Sequence, residues 1–356
     1  MNTSKTNHID QLLIDSGLFP TKKASQKPLS NFDFSDEIIL ITGAAGSIGS
    51  ELSKQLLTCN YKKLVLIDIA ESPLYDLIKD IEFEDTSKIV FLLLNITEEQ
   101  SLKHLFETYK PTFVFHTAAY KHVPLMEANP HEAIKLNIFG TKLLADLSIE
   151  YKVKKFIFIS TDKAVNPKSV MGMSKRIAEN YLNYFLTKSE TQFIITRFGN
   201  ILGSNGSVLP LFKKQIKSGM PLTVTNSIIS RYFISKNKAC ALILEIATFN
   251  NKENNIFTFN MGEPIKIIDL AERLVSLYNN IGEKIEVKIT ELRPGEKLHE
   301  HIISKNEILV PTDNKNILLV NSKNNFETQK IDFTKLANIT PNMSSSDIKS
   351  ILEKYV

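Results

Sequence analysis

The chain has 356 residues, of which 43% are hydrophobic and 23% are charged, and its formal net charge is +4. These values are typical of an ordinary globular protein and exclude wholesale disorder, collagen-like repeats and a disulfide scaffold. The small positive charge argues against nucleic acid as a partner and favours, at most, a local basic site such as one for a phosphate-bearing small molecule.

The cysteines indicate a reducing compartment. Cys59 and Cys240 form no CxxC motif and no Cys/His cluster with metal spacing, so we expect no metal site. A cytoplasmic location is the simpler interpretation. Residues Met1 to Asp10 are polar, and no run approaches the ~20 apolar residues of a membrane helix. We therefore expect no signal peptide and no integral membrane segment.

The chain order of predicted elements indicates an α/β fold. Residues 1–36 form a predicted polar N-terminal arm, with a short helix at His8–Leu18 and a surface segment at Thr21–Leu29. Predicted strands follow at Ile38–Thr42, Lys63–Asp68, Ile89–Leu94, Phe113–His116, Phe156–Ser160 and Gln192–Arg197. Predicted helices separate them at Ser47–Leu57, Pro73–Glu82, Ser101–Thr108, His131–Tyr151 and Ser169–Leu186. This alternation predicts a Rossmann-type doubly wound parallel sheet, covered on both faces, over residues 37–199.

The second half of the chain has a different pattern. Residues 200–356 are predicted to form a smaller C-terminal substrate-binding lobe, in which residues 256–262 return to the main sheet. Predicted helices cover Val208–Ser218, Lys236–Thr248, Ile267–Tyr278 and Ser346–Tyr355. A strand is predicted at Lys284–Ile289, and Asn314–Thr328 is predicted to be loop with a little strand.

A glycine-rich loop joins the first predicted strand to the first main helix. Gly43 allows a sharp turn, Gly46 lets the backbone approach a diphosphate, and Gly49 lets the helix lie close to the strand. The helix N-terminus offers unpaired N–H groups to phosphates. Asp68 ends the second strand, where an acid binds the ribose 2′-hydroxyl and repels a 2′-phosphate. The loop predicts a dinucleotide site, with NAD favoured and NADP as the alternative.

The end of the fifth strand carries the candidate catalytic residues. Asp162 and Lys163 follow it directly, at the sheet edge where ligands of parallel sheets bind. Met171 and Lys175 lie four residues apart on the next helix. Short-chain dehydrogenases have Tyr-x-x-x-Lys there, and methionine cannot transfer a proton. Either the chain binds nucleotide without turnover, or neighbours do the acid–base chemistry; the Asp162–Lys163 pair favours the second interpretation.

Four motifs together resemble one family. They are GAAGSIGSE from Gly43, AAYKHVPLME from Ala118, STDKAVNP from Ser160 and RPGEKL from Arg293. In this order they resemble the extended short-chain dehydrogenase/reductases that act as UDP-N-acetylglucosamine 4,6-dehydratases in bacterial polysaccharide synthesis. The similarity runs from about residue 37 to about residue 303, and Met171 resembles the configuration-retaining branch. Many of that branch carry N-terminal membrane helices, so this chain is expected to be a soluble form.

The resemblance implies roles for the catalytic residues. Thr161 would hydrogen-bond the C4 oxygen of the sugar, and Asp162 would protonate the departing C6 hydroxyl. Lys163 would remove the C5 proton, and Lys175 would hold the nicotinamide ribose. The group that deprotonates the C4 hydroxyl is left open, with Asp162 as the first choice.

The resemblance also implies binding residues. Those for NAD are Gly43, Ala45, Gly46, Ser47, Ile48, Gly49, Asp68, Asn95, Ile96, Ala118, Ala119 and Lys175. Asn95 departs from the Asp usual near the adenine, which leaves the Ile96 backbone as the contact there. Those for the UDP-sugar are Lys121, His122, Asn200, Arg231 and Arg293, with the two arginines assigned to the diphosphate.

Two other functions remain as alternatives. A UDP-sugar epimerase or a C5-inverting dehydratase would use the same cofactor and pocket. A non-catalytic NAD- and UDP-sugar-binding protein would leave its sugar unchanged. The resemblance also implies a homo-oligomer, a dimer or larger, in which the helices predicted at His131–Tyr151 and Ser169–Leu186 pair between subunits.

Overall fold

A computed structural model describes residues 3–16, 32–250, 254–278, 285–323 and 329–356. Its strands are β1 (Asp33–Thr42), β2 (Asn60–Asp68), β3 (Ile89–Leu93), β4 (Phe113–His116), β5 (Lys155–Thr161), β6 (Gln192–Phe198), β7 (Asn200–Leu202), β8 (Leu222–Val224), β9 (Ser230–Arg231), β10 (Phe233–Ser235), β11 (Ile256–Phe259), β12 (Ile265–Lys266), β13 (Val287–Ile289), β14 (Glu307–Pro311) and β15 (Ile317–Ser322). Its helices are α1 (Thr3–Asp15), α2 (Ser47–Leu56), α3 (Glu71–Asp80), α4 (Glu99–Tyr109), α5 (Val123–Ala128), α6 (Pro130–Ala133), α7 (Thr141–Glu150), α8 (Val170–Tyr184), α9 (Val208–Lys217), α10 (Lys236–Thr248), α11 (Ile267–Tyr278), α12 (Thr334–Ala337) and α13 (Ser345–Leu352).

The main sheet confirms the predicted fold class. Its order is β14-β15-β11-β6-β5-β4-β1-β2-β3. From β3 to β11 each strand is parallel to its neighbours in the sheet. Strand β15 is antiparallel to both of its neighbours, β11 and β14. Alternate residues of β1 enter opposite cores: Ile39 and Ile41 pack with α2 and α10, and Leu40 packs with α4 and α7. The carboxyl ends of the parallel strands therefore meet at one edge, where the candidate site lies.

The second half supplies β11 to this sheet and builds a separate apolar cluster. The cluster contains residues of α9 and α11, and α1 adds Ile9, Leu12 and Leu13 to it. Arg273 on α11 donates two hydrogen bonds, of 2.6 and 2.7 Å, to the carboxylate of Asp10 on α1. The first helix is thus anchored to the second half of the chain. The predicted helix at His8–Leu18 starts earlier, at Thr3, and its last two residues lie outside the described part, as does the predicted segment Thr21–Leu29.

The long helix predicted at His131–Tyr151 is wrong in detail. A π-helical segment, Ile134–Gly140, separates α6 from α7. Asn137 in this segment is fully buried, and its amide exchanges hydrogen bonds of 2.9 Å with the backbone N–H and C=O of Tyr120. Such π-turns occur often at functional sites. The π-helical turn places the Asn137 side chain against the backbone of the segment that follows β4.

In the last hundred residues the structure differs from the prediction in two further places. The prediction of loop with a little strand at Asn314–Thr328 missed the six-residue strand β15, and β14 was not predicted. Lys284, the first residue of another predicted strand, lies outside the described residues, as do 324–328. The C-terminal residues 329–356 lie on α6 and α8, where Leu336, Ile339, Ile348 and Leu352 complete an apolar cluster. The helix face predicted to pair between subunits is therefore partly covered by the chain itself.

Candidate active site at the carboxyl edge of the sheet

The glycine loop has the close backbone contacts that its sequence predicts. Gly43 has a φ of +67°, and a Cβ atom there would lie 2.7 Å from the Ala118 backbone. A Cβ atom on Gly49 would lie 2.2 Å from the Gly43 carbonyl oxygen. Gly46 borders two adjoining cavities of about 490 and about 380 Å³, and Gly43 borders the larger one. Gly43 and Gly49 close the turn, and Gly46 leaves backbone open to a ligand. This cradle fits a dinucleotide.

Asp68 at the end of β2 borders the larger cavity and braces the glycine loop. Its carboxylate accepts hydrogen bonds of 2.9 Å from the backbone N–H groups of Ala45 and Ala70. A carboxylate has about four lone-pair sites, so two remain for a hydroxyl. The predicted contact of Asp68 with a ribose stays a prediction.

The rest of the larger cavity contains the other residues predicted to bind an adenosine half. Asn95, Ile96, Ala118 and Ala119 all border it. The side chain of Asn95 accepts hydrogen bonds of 3.0 Å from the backbone and hydroxyl of Thr97, so it shapes its own turn. Ser47 and Ile48, at the start of α2, border the smaller cavity.

Thr161 and Lys163 border the smaller cavity, and Asp162 lies behind them. The Lys163 ammonium is 3.0 Å from the Asp162 carboxylate and 2.9 Å from the Asn200 side-chain oxygen. The Thr161 hydroxyl donates to the same Asp162 oxygen at 2.9 Å. Asp162 is 0% exposed, and its second oxygen has no hydrogen-bond partner among the described residues. The sequence led us to expect this carboxylate facing a sugar, whereas here it reaches the cavity through Thr161 and Lys163.

Met171 and Lys175 project from α8 into the same cavity. Ser169 caps this helix by accepting a hydrogen bond of 3.1 Å from the Gly172 N–H. The Lys175 ammonium lies 3.9 Å from the centre of the Phe158 ring. Burial lowers the pKa of Lys175 to about 7, although the Glu179 carboxylate acts in the opposite direction. The thioether of Met171 carries no ionisable proton, so proton exchange falls to its neighbours.

Three of the five predicted substrate residues border this cavity: Lys121, His122 and Asn200. Burial lowers the pKa of Lys121, and burial together with Lys121 lowers the pKa of His122. Both side chains are therefore easier to deprotonate than in water.

The structure does not bring Arg231 and Arg293 to either cavity. The Arg231 guanidinium is buried and donates to the carbonyl oxygens of Ser230 and Leu298 at 2.8 and 3.1 Å. Glu296 lies 3.4 Å from it and also accepts the Arg293 backbone N–H at 3.2 Å. Arg293 itself is exposed. Glu296 and backbone carbonyls hold the Arg231 guanidinium here, and the diphosphate contact of both arginines stays a prediction.

A buried charge network beneath the site was missed by the sequence analysis. Arg197 on β6 is 0% exposed and binds Glu179 at 2.8 Å and Glu307 at 3.1 Å. The Ser160 hydroxyl donates to the same Glu179 carboxylate at 2.5 Å. Arg197, with the help of Arg176 and Ser160, holds the pKa of Glu179 below its usual value although burial opposes ionisation. The sequence signal for this network was a charged residue, Arg197, at the end of an apolar predicted strand.

The described residues include no group of three or more His, Cys, Asp or Glu side chains able to hold a metal ion. In the same residues, no helix has both the length and the apolar character needed to span a bilayer.

The fold and the site together define a class. A parallel sheet with a glycine cradle after β1, and a lysine four residues after the usual tyrosine position on α8, are the features of an extended short-chain dehydrogenase/reductase. Residues 39–322 match the family described as "Polysaccharide biosynthesis protein". The chain belongs to this polysaccharide biosynthesis family.

Individual relatives agree with that assignment. The chain is 43% identical over 279 residues to "Capsular polysaccharide biosynthesis protein CapD" of Staphylococcus aureus. This alignment covers 78% of the present chain and 46% of the CapD protein. It is 33% identical over 306 residues to "UDP-N-acetylglucosamine 4,6-dehydratase (inverting)" of Campylobacter jejuni, covering 85% and 87%. The X-ray structure of Pen from Bacillus thuringiensis superposes with a TM-score of 0.71 at 32% identity, covering 81% and 90%. The chain thus spans about half the length of the first of these relatives.

Proposed function

We propose that the protein is an NAD-dependent lyase that removes water from UDP-N-acetylglucosamine and forms the UDP-4-keto-6-deoxy sugar. The observation that carries the proposal is the Lys163 ammonium at the cavity wall, held between Asp162 and Asn200. Met171 strengthens it, because the usual tyrosine acid–base is missing beside this lysine. The Campylobacter relative, named for this reaction, supports the substrate class.

The glycine cradle and the larger cavity fit NAD. Asp68 would bind the adenosine ribose, and the N-terminus of α2 would face the diphosphate. Bound NAD supplies a hydride acceptor at C4 and a hydride donor at C6, so that it is regenerated in each turnover. We assign cofactor binding to residues 37–199 and sugar-nucleotide binding to residues 200–356.

The residues of this chain would handle the protons. The Thr161 hydroxyl would orient the C4 oxygen, and the Asp162 carboxylate would take the C4 hydroxyl proton through it as the ketone forms. Lys163, after losing its own proton to solvent, would accept the C5 proton as the neutral amine and would return a proton to C5 at the end of the turnover. The C6 hydroxyl leaves as water with one added proton, and Asp162 would supply the proton that it took from C4 through its contacts with Thr161 and Lys163. Lys175 would hold the nicotinamide ribose.

The cellular context follows from the same proposal. Both cysteines are free thiols, and Cys240 is buried, which is consistent with a reducing compartment. We place the enzyme in the cytoplasm, at a step of polysaccharide or glycan synthesis that consumes a UDP-sugar. A homo-oligomer stays a prediction.

A direct assay tests the proposal. The protein is incubated with UDP-N-acetylglucosamine in deuterated water, and the product is analysed by mass spectrometry and NMR. We expect a product lighter by one water, with deuterium at C5, retained configuration there and no accumulation of NADH. An isomer of unchanged composition would instead indicate an epimerase, and inverted C5 would indicate the other dehydratase type. Unaltered sugar from protein that binds NAD would indicate a non-catalytic binder.

A further inference from the structure

Residues 166–168 join the turn that carries Asp162 and Lys163 to helix α8. One turn in the second half of the chain contacts the protein at both ends of this short connection. Gly295 has a φ of +74°, and a Cβ atom there would lie 2.9 Å from Glu127 and 3.0 Å from Ser169. Ser169 is the N-cap of α8. Two residues after Gly295, the Lys297 ammonium donates a hydrogen bond of 2.9 Å to the Val165 carbonyl oxygen. The RPGEK motif thus touches the chain just before and just after residues 166–168.

The contact of Lys297 lies next to the catalytic turn. Asp162 to Ala164 form a single 3-10 turn, and the Val165 N–H closes it by donating to the Asp162 carbonyl at 3.1 Å. The carbonyl of the same Val165 then accepts the Lys297 ammonium. Any shift of Lys297 is therefore transmitted through the backbone of a single residue, Val165, to the turn that carries Lys163.

The ammonium of Lys297 is held by its surroundings. Its side chain is 11% exposed and lies 3.0 Å from the Glu300 carboxylate, whose side chain is 4% exposed. Glu300 balances the charge, and Val165 accepts a second hydrogen bond, which fixes the ammonium from two directions. A flexible surface lysine would not define the position of the turn in this way.

We propose that Lys297 is a positioning residue that fixes the Asp162–Lys163 turn for proton transfer, an inference that rests on the proposed function. It gives the RPGEK motif a role apart from contact with substrate. Lys297 holds the turn in place from the second half of the chain. A displacement of about 1 Å in a reacting group costs on the order of 10²-fold in rate.

The test compares Lys297→Met, Lys297→Arg and the control Lys305→Met, which alters an exposed lysine eight residues further on. We expect kcat to fall on the order of 10²-fold in Lys297→Met with little change in KM, because the turn shifts while the pocket remains. Lys297→Arg should restore much of the rate, since a guanidinium can donate to the same oxygens. Lys305→Met should match the unaltered protein.

A second measurement does not depend on turnover. An amine-reactive acylating reagent is applied to the unaltered protein and to each variant, and the labelling rate of Lys163 is measured by mass spectrometry relative to the exposed Lys288. We expect this ratio to change in Lys297→Met and not in Lys305→Met. An unchanged ratio would overturn the inference even if no dehydration is detected in any protein. A loss of thermal stability and NAD affinity in proportion to kcat, without rescue by arginine, would also overturn it.

Discussion

The backbone N–H of Asn205 donates a hydrogen bond of 3.0 Å to the hydroxyl of Ser47. The two residues come from different halves of the chain: Ser47 begins α2 after the glycine loop, and Asn205 follows β7. Asn205 borders both cavities, so this contact lies across the place where they join. The segment around Asn205 thus covers one side of the candidate dinucleotide site.

Substitution of Gly206 by alanine should weaken NAD binding. Gly206 has a φ of +68°, and a Cβ atom there would lie 2.4 Å from the His122 ring. Either the segment that contains Asn205 or the His122 ring must therefore move, and both Asn205 and His122 border the smaller cavity. We expect a raised Kd for NAD, measured by titration calorimetry, and a lower free energy of unfolding in urea.

Gly219→Ala is the matched control. Gly219 has a similar φ of +64° but no atom within 4 Å of the added Cβ. It should cost about 1–2 kcal/mol of stability from backbone strain alone and leave the Kd unchanged. Equal effects of the two substitutions on NAD binding would contradict a covering role for the segment.

Replacement of the proton-transfer groups should reduce turnover selectively. Lys163→Ala and Asp162→Asn should each lower kcat by ~10²–10⁴-fold, the usual contribution of a general acid or base. Lys168→Ala, which alters an exposed lysine on the same segment, should have no such effect. The measurement is the initial rate of dehydrated product. Near-normal rates in both variants would refute the assigned roles.

The buried Arg197–Glu179 pair should contribute strongly to stability. Arg197→Met leaves the Glu179 carboxylate without its closest cation in a site that is 0% exposed. Such losses cost about 3–5 kcal/mol, measurable as the free energy of unfolding in urea. Arg176→Met removes a guanidinium that is 30% exposed and 3.2 Å from the same carboxylate. Its effect should be about 0–1 kcal/mol, and an equal loss in both variants would contradict the ranking by burial.

Lys175 should make stability depend on pH. Its folded pKa of about 7 lies below the ordinary 10.5, so the unfolded chain binds more protons between these values. The contribution of Lys175 to the free energy of unfolding should therefore rise as pH increases from about 7 towards 10.5. Below pH 7 its burial penalty is complete. In protein without added cofactor, Lys175→Met should be more stable than the parent at pH 6.5, and the difference should shrink by pH 9.5. A constant difference would contradict the lowered pKa.

The parallel sheet and its glycine loop could be predicted because both depend on local patterns. Apolar strands ending in Thr42, Asp68 and Thr161 define the edge of the sheet, and Gly43 requires a backbone shape that few residues adopt. The convergence of Thr161, Lys163 and Met171 on one cavity follows from the same strand order. Periodicity and loop chemistry are sufficient for these features.

Long-range pairings of polar groups could not be predicted. Arg231 carries the same side chain whether it binds a diphosphate or Glu296, and only the folded chain brings Glu296 within reach. Likewise, the π-helical turn at Asn137 depends on Tyr120, seventeen residues earlier, and leaves no trace in hydrophobic spacing. The hydrogen-bond partners of Arg231 and Asn137 are residues far away in the sequence, so local patterns do not reveal them.

The C-terminal segment affects where the chain can be shortened. The family match stops at residue 322, which would be a natural choice for a trimmed version for crystallisation. Such a version would lose the four aliphatic side chains that shield Met173 and Ile177, and also the Lys349 contact with Glu127. The trimmed protein would expose an apolar strip on α8, so its precipitation during purification would reflect the loss of the residues that cover this strip and not a defect in the sheet.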